Sequence, residues 1–175
     1  MPRRACWCGW RWLREPRVRG ETVTVDRSIA LAPGRNLVSV PVALADPKRW
    51  QPVGYGEQPL YRVEAELEGA DRAATRIGLR TVELLREGGA FGLRINGIPI
   101  FAKGANLIPF DNFPARVSAG TMRSILVDAR AANMNMIRIW GGGYYLDDAF
   151  YDAADELGIL VWQDFMFGGA VTPPD

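Results

Sequence analysis

Apolar and polar residues change their rhythm partway along this chain, and that change divides it. From about Glu21 to Arg86 the rhythm is that of short strands. Thr22-Val23-Thr24-Val25 and Leu37-Val38-Ser39-Val40-Pro41-Val42 read as strands on either side of a Pro33-Gly34 turn signal. Tyr61 to Leu67 alternates cleanly and predicts a strand with one wet face, and Arg76 to Leu84 predicts another. Gly88-Gly89 marks a boundary, after which Asn96-Gly97 predicts a hairpin turn.

Beyond the hairpin, Ile100 to Ala105 predicts a first buried strand, and Asn106 opens a long loop carrying Pro109 and Pro114. Met122, Ile125, Leu126 and Ala129 then recur at helical spacing, so a helix is expected from about Ser118 to Ala132. Asn135 to Trp140 predicts a second strand that ends on Gly141-Gly142-Gly143. A second helix is signalled by Asp147 or Asp148 as N-cap, Phe150, Tyr151, Ala154 and Leu157 on its inner face, and Gly158 as its stop. Ile159 to Gln163 predicts a third strand. The resulting β-α-β-α-β order implies a parallel sheet.

Composition narrows the chemistry. The chain has 175 residues, 48% hydrophobic and 23% charged, with a formal net charge of +1, as in a folded protein with no general pull toward nucleic acid. Arg3, Arg4, Arg11, Arg14, Arg17 and Arg19 crowd the first twenty residues among Trp7, Trp10 and Trp12, but no recognisable nucleic-acid module follows them. No apolar run reaches membrane-spanning length. Histidine is absent, which excludes Ser-His-Asp, Cys-His and His-ligated zinc sites within this chain. Cys6 and Cys8 lack the second pair of a structural zinc site and read as incidental, so neither metal nor cofactor is expected.

Polar candidates gather where the predicted strands end. Alternation puts Ile137 and Ile139 on one face of the second strand and Met136, Arg138 and Trp140 on the other. An inward arginine needs a partner, and Asp164, on a common face with Leu160 and Trp162, is the natural one. The glycines after Trp140 leave its indole face uncovered, which suits a sugar ring packing its axial C–H groups there. Arg138–Asp164 also fits a purely structural salt bridge. Trp140 and Trp162 also fit as large core residues, and Asn106 is either a turn residue or a hydroxyl ligand. Gly141-Gly142-Gly143-Tyr144-Tyr145-Leu146-Asp147-Asp148 lacks a Gly-Lys-Ser/Thr ending and has acids at the helix start, against a phosphate loop.

Three runs together carry a family resemblance: Asn96 to Asn106, Asn133 to Gly143 with its Arg-Ile-Trp-Gly-Gly-Gly, and Asp155 to Phe167. They resemble the β-mannosidases, within the glycoside hydrolase group that also holds β-galactosidase and β-glucuronidase. Trp50 to Tyr61 and Ile77 to Leu84 resemble the immunoglobulin-like domain that precedes the barrel in that family. The resemblance implies residues 21–87 as the end of a β-sandwich. It makes residues 88–175 the first three units of an incomplete (β/α)₈ barrel, and leaves residues 1–20 unassigned.

The activity implied is hydrolysis of terminal β-D-mannose by a retaining mechanism with two glutamates. The acid/base glutamate of the family lies in an Asn-Glu pair on a later strand. No Asn-Glu pair occurs here, so no catalytic residue is assigned and the chain alone is expected to be inactive. Carried over as substrate-binding residues are Asn106, Arg138, Trp140 and Asp164, with a β-mannoside or mannose-containing oligosaccharide as partner. Departures from the family pattern fall at Gln51, Leu107 and Gly168 to Pro173. Alternatives are another glycosidase of the group (endo-β-mannosidase, β-galactosidase or β-glucuronidase type) or a non-catalytic carbohydrate-binding protein.

Overall fold

The computed structural model describes residues 23–169. The Arg/Trp-rich segment with Cys6 and Cys8, Thr22 of the first expected strand, and Val171 to Pro173 lie outside the described residues. The described chain forms two compact units. One comprises residues 23–48 with Pro59–Leu79, the other Arg49–Gln58 with residues 80–169.

In the first unit, β1 (Tyr61–Leu67) pairs antiparallel with β2 (Asp71–Ile77). The loop turns through Gly69 at φ 71°, the third position of the turn that the Ala70 N–H closes onto the Leu67 carbonyl, where a positive φ favours glycine. The alternation of β1 is real, but the wet-face expectation is not. Glu64 is the buried residue of the strand, its carboxylate held by Arg62 and, at 2.7 Å, by Arg72 from β2. No strand forms at 24–25 or 37–42. The Pro33-Gly34 turn exists, with Asn36 Nδ2 donating to the carbonyls of Ala32 and Gly34. Neither flank belongs to a sheet among the described residues, and alternation makes a strand only where a ladder with a second strand forms.

The second unit opens with an antiparallel meander of β3 (Val82–Leu85), β4 (Gly92–Ile95) and β5 (Ile98–Ile100). Asn96 and Gly97 turn β4 into β5 with φ of 51° and 82°, as a two-residue hairpin of this composition requires. The single strand expected over Arg76 to Leu84 is two: Ile77 ends β2 and Val82 begins β3, in different sheets. Gly88-Gly89 lies in a short 3₁₀ turn joining β3 to β4, and the compact units divide at Leu79/Arg80.

Trp50 lies in this second unit. It is fully buried, its Nε1 donates to the Asp155 carbonyl at 2.7 Å, and the Arg80 guanidinium lies 4.5 Å over its ring.

Then comes the expected alternation: β6 (Gly104–Leu107), α1 (Ala119–Ala131), β7 (Met136–Ile139), α2 (Asp148–Leu157) and β8 (Leu160–Gln163). The strands are parallel in the order β6-β7-β8. The first of them starts at Gly104 rather than Ile100, because Ile98–Ile100 is already committed to pairing with β4. Gly104 has no room for a side chain, since a Cβ there would meet the Met136 carbonyl oxygen at 1.8 Å.

Ser118 caps α1 by accepting the Thr121 N–H at 3.1 Å, a contact worth about 1 kcal/mol. Gly158 stops α2 at φ 80°. Ile137 and Ile139 of β7 face Met122, Leu126 and Ala129 of α1 and Phe150, Ala153 and Ala154 of α2, forming the core. A fully buried side chain such as Phe150 or Leu126 contributes about 1.5–3 kcal/mol there. Ile125, expected in the α1 stripe, is exposed.

Candidate functional site

The helices cover one face of the parallel sheet, and the other face carries the polar residues. Register aligns Asn106 with Arg138 and Arg138 with Trp162, so the three share one row and one face. Below this row Met136 and Leu160 are buried. They line a cleft of about 420 Å³ together with Phe91, Leu93 and Ile95 of the meander region. Phe91 meets Trp162 with ring centroids 5.3 Å apart. The amino end of this face is therefore packed with apolar side chains, while functional groups collect at the carboxyl end.

There Arg138 organises a compact cluster. Its Nε donates to Asp164 Oδ1 at 3.1 Å and its Nη2 to Asp164 Oδ2 at 2.6 Å, the two-pronged geometry of a strong arginine–carboxylate pair. Nη1 donates to Asn106 Oδ1 at 3.1 Å, and the Gly141 N–H donates to Asp164 Oδ2 at 3.2 Å. Asn106 is thus the third residue of β6 rather than a loop residue. Trp140 sits one residue past β7, anchored by its N–H to the Leu107 carbonyl at 3.1 Å, with 42% of its surface exposed. All four residues named from the sequence come to this rim, three of them in direct contact. Trp162 is 41% exposed, so it is no plain core residue.

Supporting contacts escaped the sequence reading. Tyr151 of α2 donates its hydroxyl to Gln163 Oε1 at 2.7 Å, and Gln163 Nε2 donates to the Asp164 carbonyl at 2.9 Å. Burial pushes the Tyr151 phenol above its ordinary pKa, which keeps it a donor in this chain. Asn135, 0% exposed, accepts the Lys103 N–H and donates to the Phe101 carbonyl, tying the approach to β6 onto β7. The Gly168 N–H donates to the Gly141 carbonyl at 2.9 Å, joining the loop after β8 to the loop after β7. Spacing alone carries no signal for such bonds, except that a polar Asn135 just before an apolar strand asks for buried partners.

Chemically the cluster is a pre-oriented set of donors and acceptors beside an aromatic face. Its one carboxylate already accepts three N–H groups, which suits holding hydroxyls better than attacking a bond. Among the described residues no group of three or more His, Cys, Asp or Glu side chains comes together to hold a metal ion.

A parallel sheet with polar and aromatic side chains collected at its strands' carboxyl ends is the layout of an α/β enzyme site. Residues 14–80 match the family model of glycosyl hydrolases family 2. The β-mannosidase of Bos taurus is 46% identical over 136 residues, which cover 72% of this chain and 16% of that protein. The crystal structure of a β-D-mannosidase from Dictyoglomus thermophilum matches with a TM-score of 0.82 at 40% identity, over 95% of this chain and 21% of that one. An exo-chitosanase from Amycolatopsis orientalis matches with a TM-score of 0.70 at 28% identity, over 89% of this chain and 18% of that one. The chain belongs to glycosyl hydrolases family 2, and it spans 16% of the length of the curated β-mannosidase it matches.

Proposed function

We propose that this chain is the part of a β-mannosidase that recognises the sugar. In this reading β1 and β2 close an immunoglobulin-like sandwich, and β6, β7 and β8 are the first strands of a (β/α)₈ barrel whose interior is the Arg138 face. Asn106, Arg138 and Asp164 hold mannose hydroxyls, and the exposed indole of Trp140 packs on the ring's C–H face. The whole protein then cleaves terminal β-D-mannose with retention, using two glutamates that this chain does not supply. Recognition groups of this kind accelerate the reaction to the extent that they grip the flattened, charge-bearing transition state more tightly than the ground state.

The observation that carries the reading is the Arg138–Asp164–Asn106 cluster at the carboxyl ends of adjacent parallel strands, with an exposed tryptophan two residues along the chain from Arg138. Its test is hydrolysis of 4-nitrophenyl β-D-mannoside. The full-length protein is expected to turn it over, and the 175-residue chain alone is expected not to. Turnover by the chain alone would overturn the division of labour, and none by the full-length protein would overturn the activity. The likeness to the exo-chitosanase favours one second reading, an exo-glycosidase acting on a β-glucosaminide. A higher kcat/KM on 4-nitrophenyl β-D-glucosaminide than on the mannoside would select it.

A further inference from the structure

The three glycines after Trp140 are not equivalent. A Cβ on Gly141 would lie 2.6 Å from the Phe165 carbonyl oxygen, a backbone atom, and one on Gly168 would lie 2.6 Å from the Gly142 nitrogen. Substitution at either must distort the two loops that meet there. Gly143 is milder, with Pro109 Cγ at 3.2 Å. Gly142 differs in kind, because the three atoms nearest to a Cβ there all belong to one side chain: Trp140 Cη2 at 2.2 Å, Cζ2 at 2.3 Å and Cζ3 at 2.6 Å. Its φ lies outside the left-handed region, so alanine suits the backbone. The indole is folded back over its own chain, and the missing side chain is the space its outer edge occupies.

We infer that Gly142 is a positioning residue that sets where the Trp140 indole stands relative to the Arg138–Asp164 pair. This rests on Trp140 as the sugar platform of the proposed function. The backbone around the indole is tied to the same pair, since the Gly141 N–H donates to Asp164 Oδ2 and the Gly143 N–H returns to the Trp140 carbonyl at 3.2 Å. A methyl group at position 142 leaves those bonds in place and drives the ring away by about an ångström, a displacement that can matter greatly to a bound substrate.

The experiment is a double-mutant cycle on 4-nitrophenyl β-D-mannoside hydrolysis by the full-length protein, with Trp140→Ala, Gly142→Ala and both together. Gly142→Ala is expected to raise KM roughly tenfold in the wild-type background and by less than about twofold where Trp140 is already alanine. Tryptophan emission is expected to change with Gly142→Ala only while Trp140 is present. Equal effects in both backgrounds, or no effect in the wild type, would overturn the inference and leave the activity standing. A normal Trp140→Ala enzyme would remove the platform and this role with it. An inactive wild type would remove the β-mannosidase reading itself.

Discussion

Two arginine–carboxylate clusters sit on strands of this chain, and they differ in ways that assign them different work. In the β1–β2 hairpin, Glu64 lies between two arginines, with its side chain 4% exposed. At the rim of the parallel sheet, Asp164 has one arginine, an asparagine beside it and 20% of its side chain in solvent. Two guanidiniums around one buried acid leave its oxygens little to offer a ligand, so that cluster locks two strands together. One guanidinium paired with a partly exposed carboxylate keeps donor and acceptor directions open, as the proposed recognition of a sugar requires. Burial and stoichiometry, more than the identity of the charges, separate the staple from the proposed recognition site.

The largest separation should come from Arg138→Ala set against Glu64→Gln in the full-length protein. Removing Arg138 leaves Asp164 with one backbone N–H and takes away the bond to Asn106. Losing one partner of a closely paired charge costs about 2–5 kcal/mol when buried, and this pair is partly exposed, so a loss near 2–3 kcal/mol, roughly a hundredfold in kcat/KM, is expected. Glu64→Gln is expected to lower the melting temperature while leaving kcat/KM within about twofold of wild type, as for a change confined to the other compact unit with no partner shared with Arg138. An Arg138→Ala enzyme that keeps its kcat/KM and loses only stability would make both clusters structural.

What the sequence made legible follows from which contacts are periodic. Ile137 and Ile139 alternate with Arg138, which put the arginine on the opposite face of its strand, and the common face of Leu160, Trp162 and Asp164 in the next strand pointed to Asp164 as its partner. The helices read well because Met122, Leu126, Phe150 and Ala154 repeat at helical spacing against one core. Leu37 to Val42 alternates equally well and forms no strand, since pairing depends on a partner that alternation cannot specify. Glu64 alternates as a solvent-facing residue should, yet two arginines cover it. The indole of Trp140 over Gly142 depends on a side-chain torsion, on which residue order is silent. Spacing supplied the rim and an uncovered indole suited to a sugar ring, and family resemblance supplied mannose as the expected sugar.

A smaller effect tests whether the recognition cluster, unlike the staple, is held from behind. Gln163 links the Tyr151 hydroxyl to the Asp164 carbonyl, so Gln163→Leu removes a hydrogen-bonded prop without touching the carboxylate. A loss of roughly threefold to tenfold in kcat/KM is expected, the range of one ordinary hydrogen bond. Tyr151→Phe should reproduce much of it, because the phenol is the far end of the same chain. If both variants match the wild type, Asp164 is oriented by Arg138 and Gly141 alone.

The smallest effect is one of pH, and it belongs to the staple. Burial by itself would raise the Glu64 pKa, but hydrogen bonds and charge from Arg72 and Arg62 outweigh it and hold the carboxyl below its ordinary 4.5. The folded state therefore binds this proton less readily than the unfolded chain. Stability from Glu64 is fully present above pH 4.5, fades as pH falls through that value toward the lowered one, and is gone below it. Asp111, whose pKa is lowered by Arg116 and the Phe113 N–H, fades over a similar acid range, but it is common to the wild type and Glu64→Gln and cancels in their difference. Thermal melts of the two proteins should differ most near neutral pH and converge as the solution is taken below pH 4.5. A difference that stays constant across that range would mean that Glu64 holds the hairpin by packing alone, and the contrast between the two clusters would then rest on solvent access and not on charge.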